Sequence, residues 1–277
     1  MRRIVPLFIC FTLLLLTLTG CVDREELSPL RRVAVTGASV TAGFGLTTPP
    51  IEGDLGAYPI NMMHIVEGMI NVPHEEVAYF GDLVFFRRPD ANGELLVEHL
   101  KEYNPSLIVA LDFLFWYAYG GTGDASDIVQ YRKDKFERGL AHLDKLDALI
   151  ILGDLPDMHK AIGRMLSERH VPSVETINAL NVRLREWAKG RPNVFLVDSH
   201  RIVENLMNDS ELHVFDHTWP AGSQSKLLQP DMLHPTFEGT VGISLLIAEA
   251  LDGQGLQTDI EVLMKNAAAE ARKHAHR

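Results

Sequence analysis

The chain has 277 residues, with 26 Lys and Arg against 37 Asp and Glu and a formal net charge of −11. An acidic chain of this kind has no electrostatic footprint for nucleic acid or anionic lipid. Its two cysteines, Cys10 and Cys21, both lie near the start, so the remainder holds no thiol for a nucleophile, a disulfide or a thiolate metal site.

Residues 1–20 read as a secretory signal, because Arg2 and Arg3 precede an apolar run over 4–19 that ends in small residues. The run closes on Leu18, Thr19, Gly20 and Cys21, which resembles the lipobox of bacterial lipoproteins and implies a lipid on Cys21 after cleavage. An uncleaved membrane anchor is the competing reading, and the short run with small residues at its end weighs against it. A lipid anchor holds a protein at a membrane surface without spanning it. Val22 follows Cys21 where an Asp would signal inner-membrane retention, so the resemblance places the domain in the cell envelope, on the periplasmic side, at the outer membrane of a Gram-negative cell. Residues 21–31 are polar, contain Pro29 and read as the lipidated terminus and its tether. Residues 32–277 read as one domain, with no repeat or interior linker. Without the first twenty residues the balance is 24 basic to 37 acidic, or −13.

Along the domain, apolar β-rich runs at 32–37, 76–81, 106–112, 147–154 and 193–199 predict strands. Helix-patterned segments lie near 58–71, 90–103, 129–145, 159–169, 174–189, 199–208, 237–252 and 258–273. Near-continuous Val, Ile and Leu strands separated by helices predict an α/β fold, a three-layer α/β/α sandwich with a parallel sheet of about five strands. In such sheets the functional site lies beyond the carboxyl ends of the strands, at a switch in strand order. Ser39, Gly81, Asp112, Asp154 and Asp198 all fall at or just after those ends. Each also has a plainer reading as a helix N-cap, and for Asp198 that is the preferred one.

Chemistry concentrates at the two ends of the domain. The first strand stops at a small-residue turn, T-G-A-S-V-T-A-G-F-G, that carries Ser39. Far downstream, D-M-L-H-P places Asp231 three residues before His234, a spacing at which the carboxylate can meet imidazole Nδ1 and leave Nε2 free to take a proton. Pro235 pushes His234 toward an extended, held conformation.

Together these ends resemble the first and last sequence blocks of the SGNH (GDSL) hydrolase superfamily of esterases and lipases. The resemblance implies a flavodoxin-like sheet, Ser39 as nucleophile, His234 as general base and then acid, and Asp231 as the residue that orients it. It also implies oxyanion donors at the backbone N–H of Ser39 and of Gly81, in A-Y-F-G-D-L, and no cofactor. The third block departs from the family: V-A-L-D-F-L-F-W places Asp112 where a Gly is usual and Leu114 about where an Asn donor is usual. Ala38 likewise replaces the Asp of Gly-Asp-Ser.

Asp112, Leu114, Phe115, Trp116 and Asp154 are the candidate substrate-binding residues. Phe113 and Tyr117 belong to the same aromatic run, which reads equally as core packing. Gly120, Gly121 and Gly123 suit a movable loop beside it. The expected substrate is a carboxylic ester, whether a small molecule, a lipid or an acylated glycan. A second reading is a weakly active or inactive binding lipoprotein on the same scaffold, motivated by Asp112 and Leu114. A third makes Asp112, Asp154 and His234 a divalent-metal cluster. His213, Asp216 and His217 carry ligand-type side chains but read as a surface loop. His159 reads as a helix-start residue and residues 272–277 as a solvated helix end.

Overall fold

The computed structural model describes residues 28–51 and 54–276, so the signal, Cys21 and most of the tether lie outside the described residues. The five apolar runs become five strands: β1 (Val33–Gly37), β2 (Ala78–Gly81), β3 (Leu107–Ala110), β4 (Leu149–Gly153) and β5 (Val194–Val197). They pair in parallel in the order β2-β1-β3-β4-β5. Burial on both faces explains their composition, since β1 and β3 are buried at every residue.

The helices are α1 (Met62–Met69), α2 (Pro89–Tyr103), α3 (Phe115–Ala118), α4 (Ile128–Leu143), α5 (Val174–Lys189), α6 (Ser199–Met207), α7 (Gln224–Leu227), α8 (Phe237–Ala250) and α9 (Ile260–Ala275). Helices α1, α8 and α9 pack on one another as one layer, and α2, α4 and α5 form the other. Most have a side-chain N-cap that satisfies the first turn. Asp127, Ser173, Asp198, Thr236 and Asp259 each accept from a backbone N–H inside their helix. No helix among the described residues is long and apolar enough to cross a membrane.

The chain leaves β1 toward β2 on one side and returns to β3 on the other. The switch in strand order therefore lies between β1 and β3, and their carboxyl ends carry Ser39 and Asp112.

Several expectations need correction. The helix expected over 159–169 is instead two 3-10 turns, His159–Ala161 and Glu168–His170. Gly163 between them sits at φ +76°, a left-handed conformation that ends a right-handed helix. Residues 212–219 form a short antiparallel hairpin, β6 (Leu212–Val214) with β7 (His217–Trp219), too short for a period-2 signal. Packed structure begins inside the expected tether, where Leu30 is buried and Pro29 O accepts from Ser106 Oγ at 2.8 Å. The last helix is docked and not merely solvated: Arg272 donates to Pro49 O at 2.6 Å and pairs with Asp54 at 3.3 Å.

Candidate active site

The turn after β1 is built around a carboxylate. Asp112, two residues past β3, accepts from the backbone N–H groups of Ala38 (3.1 Å), Val40 (2.9 Å) and Thr41 (3.3 Å) and from Thr41 Oγ1 (2.6 Å). It thus takes three of four successive N–H groups and omits that of Ser39. Gly37 makes this approach possible, because a Cβ there would lie 2.0 Å from Asp112 Oδ1. Burial pushes the Asp112 carboxyl above the usual range, while the Thr41, Ala38 and Val40 donors pull the other way. Asp112 also borders the cavity described below, but its oxygens face the backbone beneath the serine, where it holds the turn. Its carboxylate does the organising that Ala38, lacking a polar side chain, cannot do.

The histidine comes from a closed loop ahead of α8. Gln229 N–H donates to His234 O at 2.9 Å, and Met232 adopts φ +59° at the loop's tip. Gln229 Nε2 reaches Pro235 O and, across the cleft, Phe44 O, both at 2.8 Å. Asp231 Oδ1 accepts from the N–H groups of Leu233 (2.9 Å) and His234 (3.0 Å), which aims Oδ2 at His234 Nδ1, 2.7 Å away. Burial alone would raise the Asp231 carboxyl, but the donors from His234 and Leu233 outweigh it and leave it below the usual carboxylate range. With Nδ1–H donating to the carboxylate, Nε2 is the acceptor. Ser39 Oγ lies 2.9 Å from it.

Hydroxyl, imidazole and carboxylate therefore form one hydrogen-bonded line, at the distances a nucleophile–base–orienter relay requires. Phe44 stacks on the His234 ring at 4.2 Å and 25°, fixing its plane. Neither Phe44 nor Gln229 stands out in the sequence as a site residue, because neither type carries its own chemistry. The one usable signal for Gln229 is an amide beside a Pro-Asp turn.

An apolar cavity opens at Ser39 and runs along the end of β4 between α6 and α8. Asp112, Phe115 and Asp154 line it as expected. Leu114 does not: it is buried, and its methyl group lies against α4 beside Gly139. Trp116 packs on Phe86 and Phe115, outside the lining, and Phe113 and Tyr117 are fully buried core. Asp154 Oδ1 accepts from His200 N–H at 2.7 Å, and burial raises its carboxyl above the usual range despite that bond. Asp198 caps α6 through Arg201 N–H at 3.0 Å. Gly81 ends β2 in register with Gly37, two residues before Ser39. A Cβ on Gly121 or Gly123 would meet nothing within 4 Å.

The metal reading finds no support in the geometry. Among the described residues no three His, Cys, Asp or Glu side chains converge to hold an ion. Asp112 and Asp154 are directed at backbone donors, His213 Nδ1 sits 3.0 Å from Thr218 Oγ1, and His159 Nδ1 meets Asp157.

No family model and no curated protein matches the chain. Among solved structures, the lipase/acylhydrolase from Enterococcus faecalis matches with a TM-score of 0.51 at 18% identity, over 83% of this chain and 98% of that one. The five-stranded parallel α/β fold is one that this chain shares with that protein. An acetylxylan esterase from Geobacillus stearothermophilus, solved as a catalytic mutant, also matches, with a TM-score of 0.49 at 14% identity over 82% of this chain and 96% of that one. Likeness at this identity is a likeness of SGNH-type fold, and the chemistry rests on the site itself.

Proposed function

We propose that the protein is a serine hydrolase that cleaves carboxylic esters through an acyl-enzyme on Ser39. The observation that carries this is the continuous line Ser39 Oγ–His234 Nε2 (2.9 Å) and His234 Nδ1–Asp231 Oδ2 (2.7 Å). Ser39 Oγ attacks the ester carbonyl while its proton passes to Nε2, and Asp231 stabilises the imidazolium that forms. His234 then gives that proton to the departing alkoxide, and the alcohol leaves an acyl-serine. A water, deprotonated by the same nitrogen, attacks the acyl carbon, releases the carboxylic acid and restores the serine.

The negative oxygen formed in each step is held at the backbone N–H of Ser39, with Gly81, at the end of β2, as the second donor that the family resemblance implies. The Ser39 N–H suits this role because Asp112 takes its neighbours and leaves it out. Leu114 supplies no third donor, and the lack of one such group costs on the order of 10²–10³ in rate. The expected enzyme is therefore slow but complete. We further infer, from the Leu18–Cys21 motif, that a lipid on Cys21 anchors the domain in the cell envelope.

Ser39→Ala is expected to lower ester hydrolysis by at least 10³-fold with an unchanged melting curve, leaving only what the remaining site achieves. A phosphonate probe should label the wild type at Ser39 and leave the variant unlabelled. Full turnover by the variant removes Ser39 from the mechanism. A folded wild type that neither labels nor turns over any ester assigns the scaffold to binding alone.

A further inference from the structure

The cavity that begins at Ser39 has a chemistry of its own. Its walls come from α6 (Ile202, Val203, Leu206), from α8 (Ile243, Leu246) and from the segment after β4 (Leu155, Pro156, Met158). Its polar side chains are four. Ser39 is bonded to His234, Asp112 to the turn beneath it, and Asp154 through Oδ1 to His200 N–H, while Ser199 stands at the start of α6. Every other lining residue is apolar or glycine. A sugar placed here would surrender its water without matching donors and acceptors, a cost that hydrocarbon does not incur.

A smaller apolar void lies next to the first. This second void shares Ile202, Leu206 and Ile243 with the first and extends to Leu212, Val214 and Trp219 of the hairpin. Among the described residues, Trp219 is the one aromatic residue lining this second void. The indole lies on Gly242, where a Cβ would come within 2.9 Å of the ring, and its Nε1–H donates to Glu238 Oε1 at 3.0 Å. The serine thus opens onto an apolar channel walled by α6 and α8, with Ile202, Leu206 and Ile243 forming the wall it shares with the second void and Trp219 lining that void.

We propose that the acyl half of the substrate is an unbranched, fatty-acyl hydrocarbon chain that lies in this channel between α6 and α8. The proposal rests on the serine-hydrolase reading above, because it places the acyl carbonyl at Ser39. The alcohol half then faces the open side of the cleft, and Ile202, Leu206 and Ile243 set how far the chain penetrates. An acetyl group would leave the channel unfilled, and each methylene added to it exchanges water for aliphatic wall.

The test is a series of p-nitrophenyl esters from acetyl to octanoyl, below micellar concentration, on the wild type and on Ile243→Trp and Leu206→Trp. Burial of each methylene is expected to raise kcat/KM by about fourfold until the channel is full. Octanoyl should thus exceed acetyl by at least 100-fold. Each tryptophan should cut the octanoyl-to-acetyl ratio at least tenfold; Leu206→Trp is read if Ile243→Trp fails to fold. An acetyl ester turned over as well as or better than octanoyl overturns the acyl-channel proposal and leaves the hydrolase standing. No turnover of any ester by folded protein overturns the hydrolase instead. Binding separates the two: octan-1-ol should raise the melting temperature of Ser39→Ala, and no rise means that the channel does not take a hydrocarbon chain.

Discussion

Asp112 is the residue whose role the sequence left most open. A carboxylate beside a developing oxyanion opposes the reaction, but this one lies under the nucleophile turn and gathers four donors from Ala38, Val40 and Thr41. Replacing it with Asn puts an N–H group against N–H donors and leaves one or more of them buried without a partner, each at about 1–3 kcal/mol. Asp112→Asn is therefore expected to lower stability by about 2–4 kcal/mol and kcat by at least tenfold, with KM little changed. Denaturant unfolding and steady-state kinetics check it, and a variant with wild-type kcat would show that the turn holds without the carboxylate. The adjacency of Ser39, Asp231 and His234 was legible from residue type and spacing, because each stands at a turn where chemistry has few competing uses. Phe44 and Gln229 were not, since a stacked ring and a bridging amide are visible only once the two loops face each other.

Among the elements, strands were the easiest to read, because a strand buried on both faces admits little but Val, Ile, Leu and Ala. The hairpin was missed because three-residue strands are below any periodic signal, and the 159–169 segment misled because its helix-like spacing is interrupted by Gly163. The short helix α3 shows a different control. Its carboxyl end is held from α4, where Arg132 donates to Ala118 O and Arg169 O, and Lys135 Nζ to Tyr119 O at 3.0 Å. Burial, reinforced by Arg132, lowers the Lys135 amine to about 8. The unfolded chain keeps that proton up to about 10.4, so between these values the unfolded state binds more protons and stability from this group rises with pH. Lys135→Met removes that rise. Between pH 7.5 and pH 10 the variant should lose about 2 kcal/mol relative to wild type. Urea unfolding at the two pH values reads the difference, and a constant gap would show that Lys135 stays charged in the fold.

Across the whole molecule, the last helix closes onto the first. Gly68 of α1 is the point of contact: a Cβ there would sit 2.9 Å from Ala267 N and from Asn266 Cβ, and Asn266 Nδ2 donates to Gly68 O at 3.0 Å. Gly68→Val has to push α9 away, at about 1–3 kcal/mol, with a fall in melting temperature of roughly 2–10 °C. A melting curve matching wild type would mean that α9 can shift freely.

On the proposed mechanism, a similar long-range closure sets when Ser39 gains its base. Ser39 and His234 are 195 positions apart and meet only through a single hydrogen bond across the cleft. During synthesis the serine emerges early, on a strand whose proton acceptor has not yet been translated. Until α8 is made and the loop before it folds back, Ser39 is an ordinary alcohol that no ester need fear. On the proposed mechanism, hydrolytic competence begins only once the His234 loop has been made and docked, and its onset in a stalled-ribosome series would mark that moment.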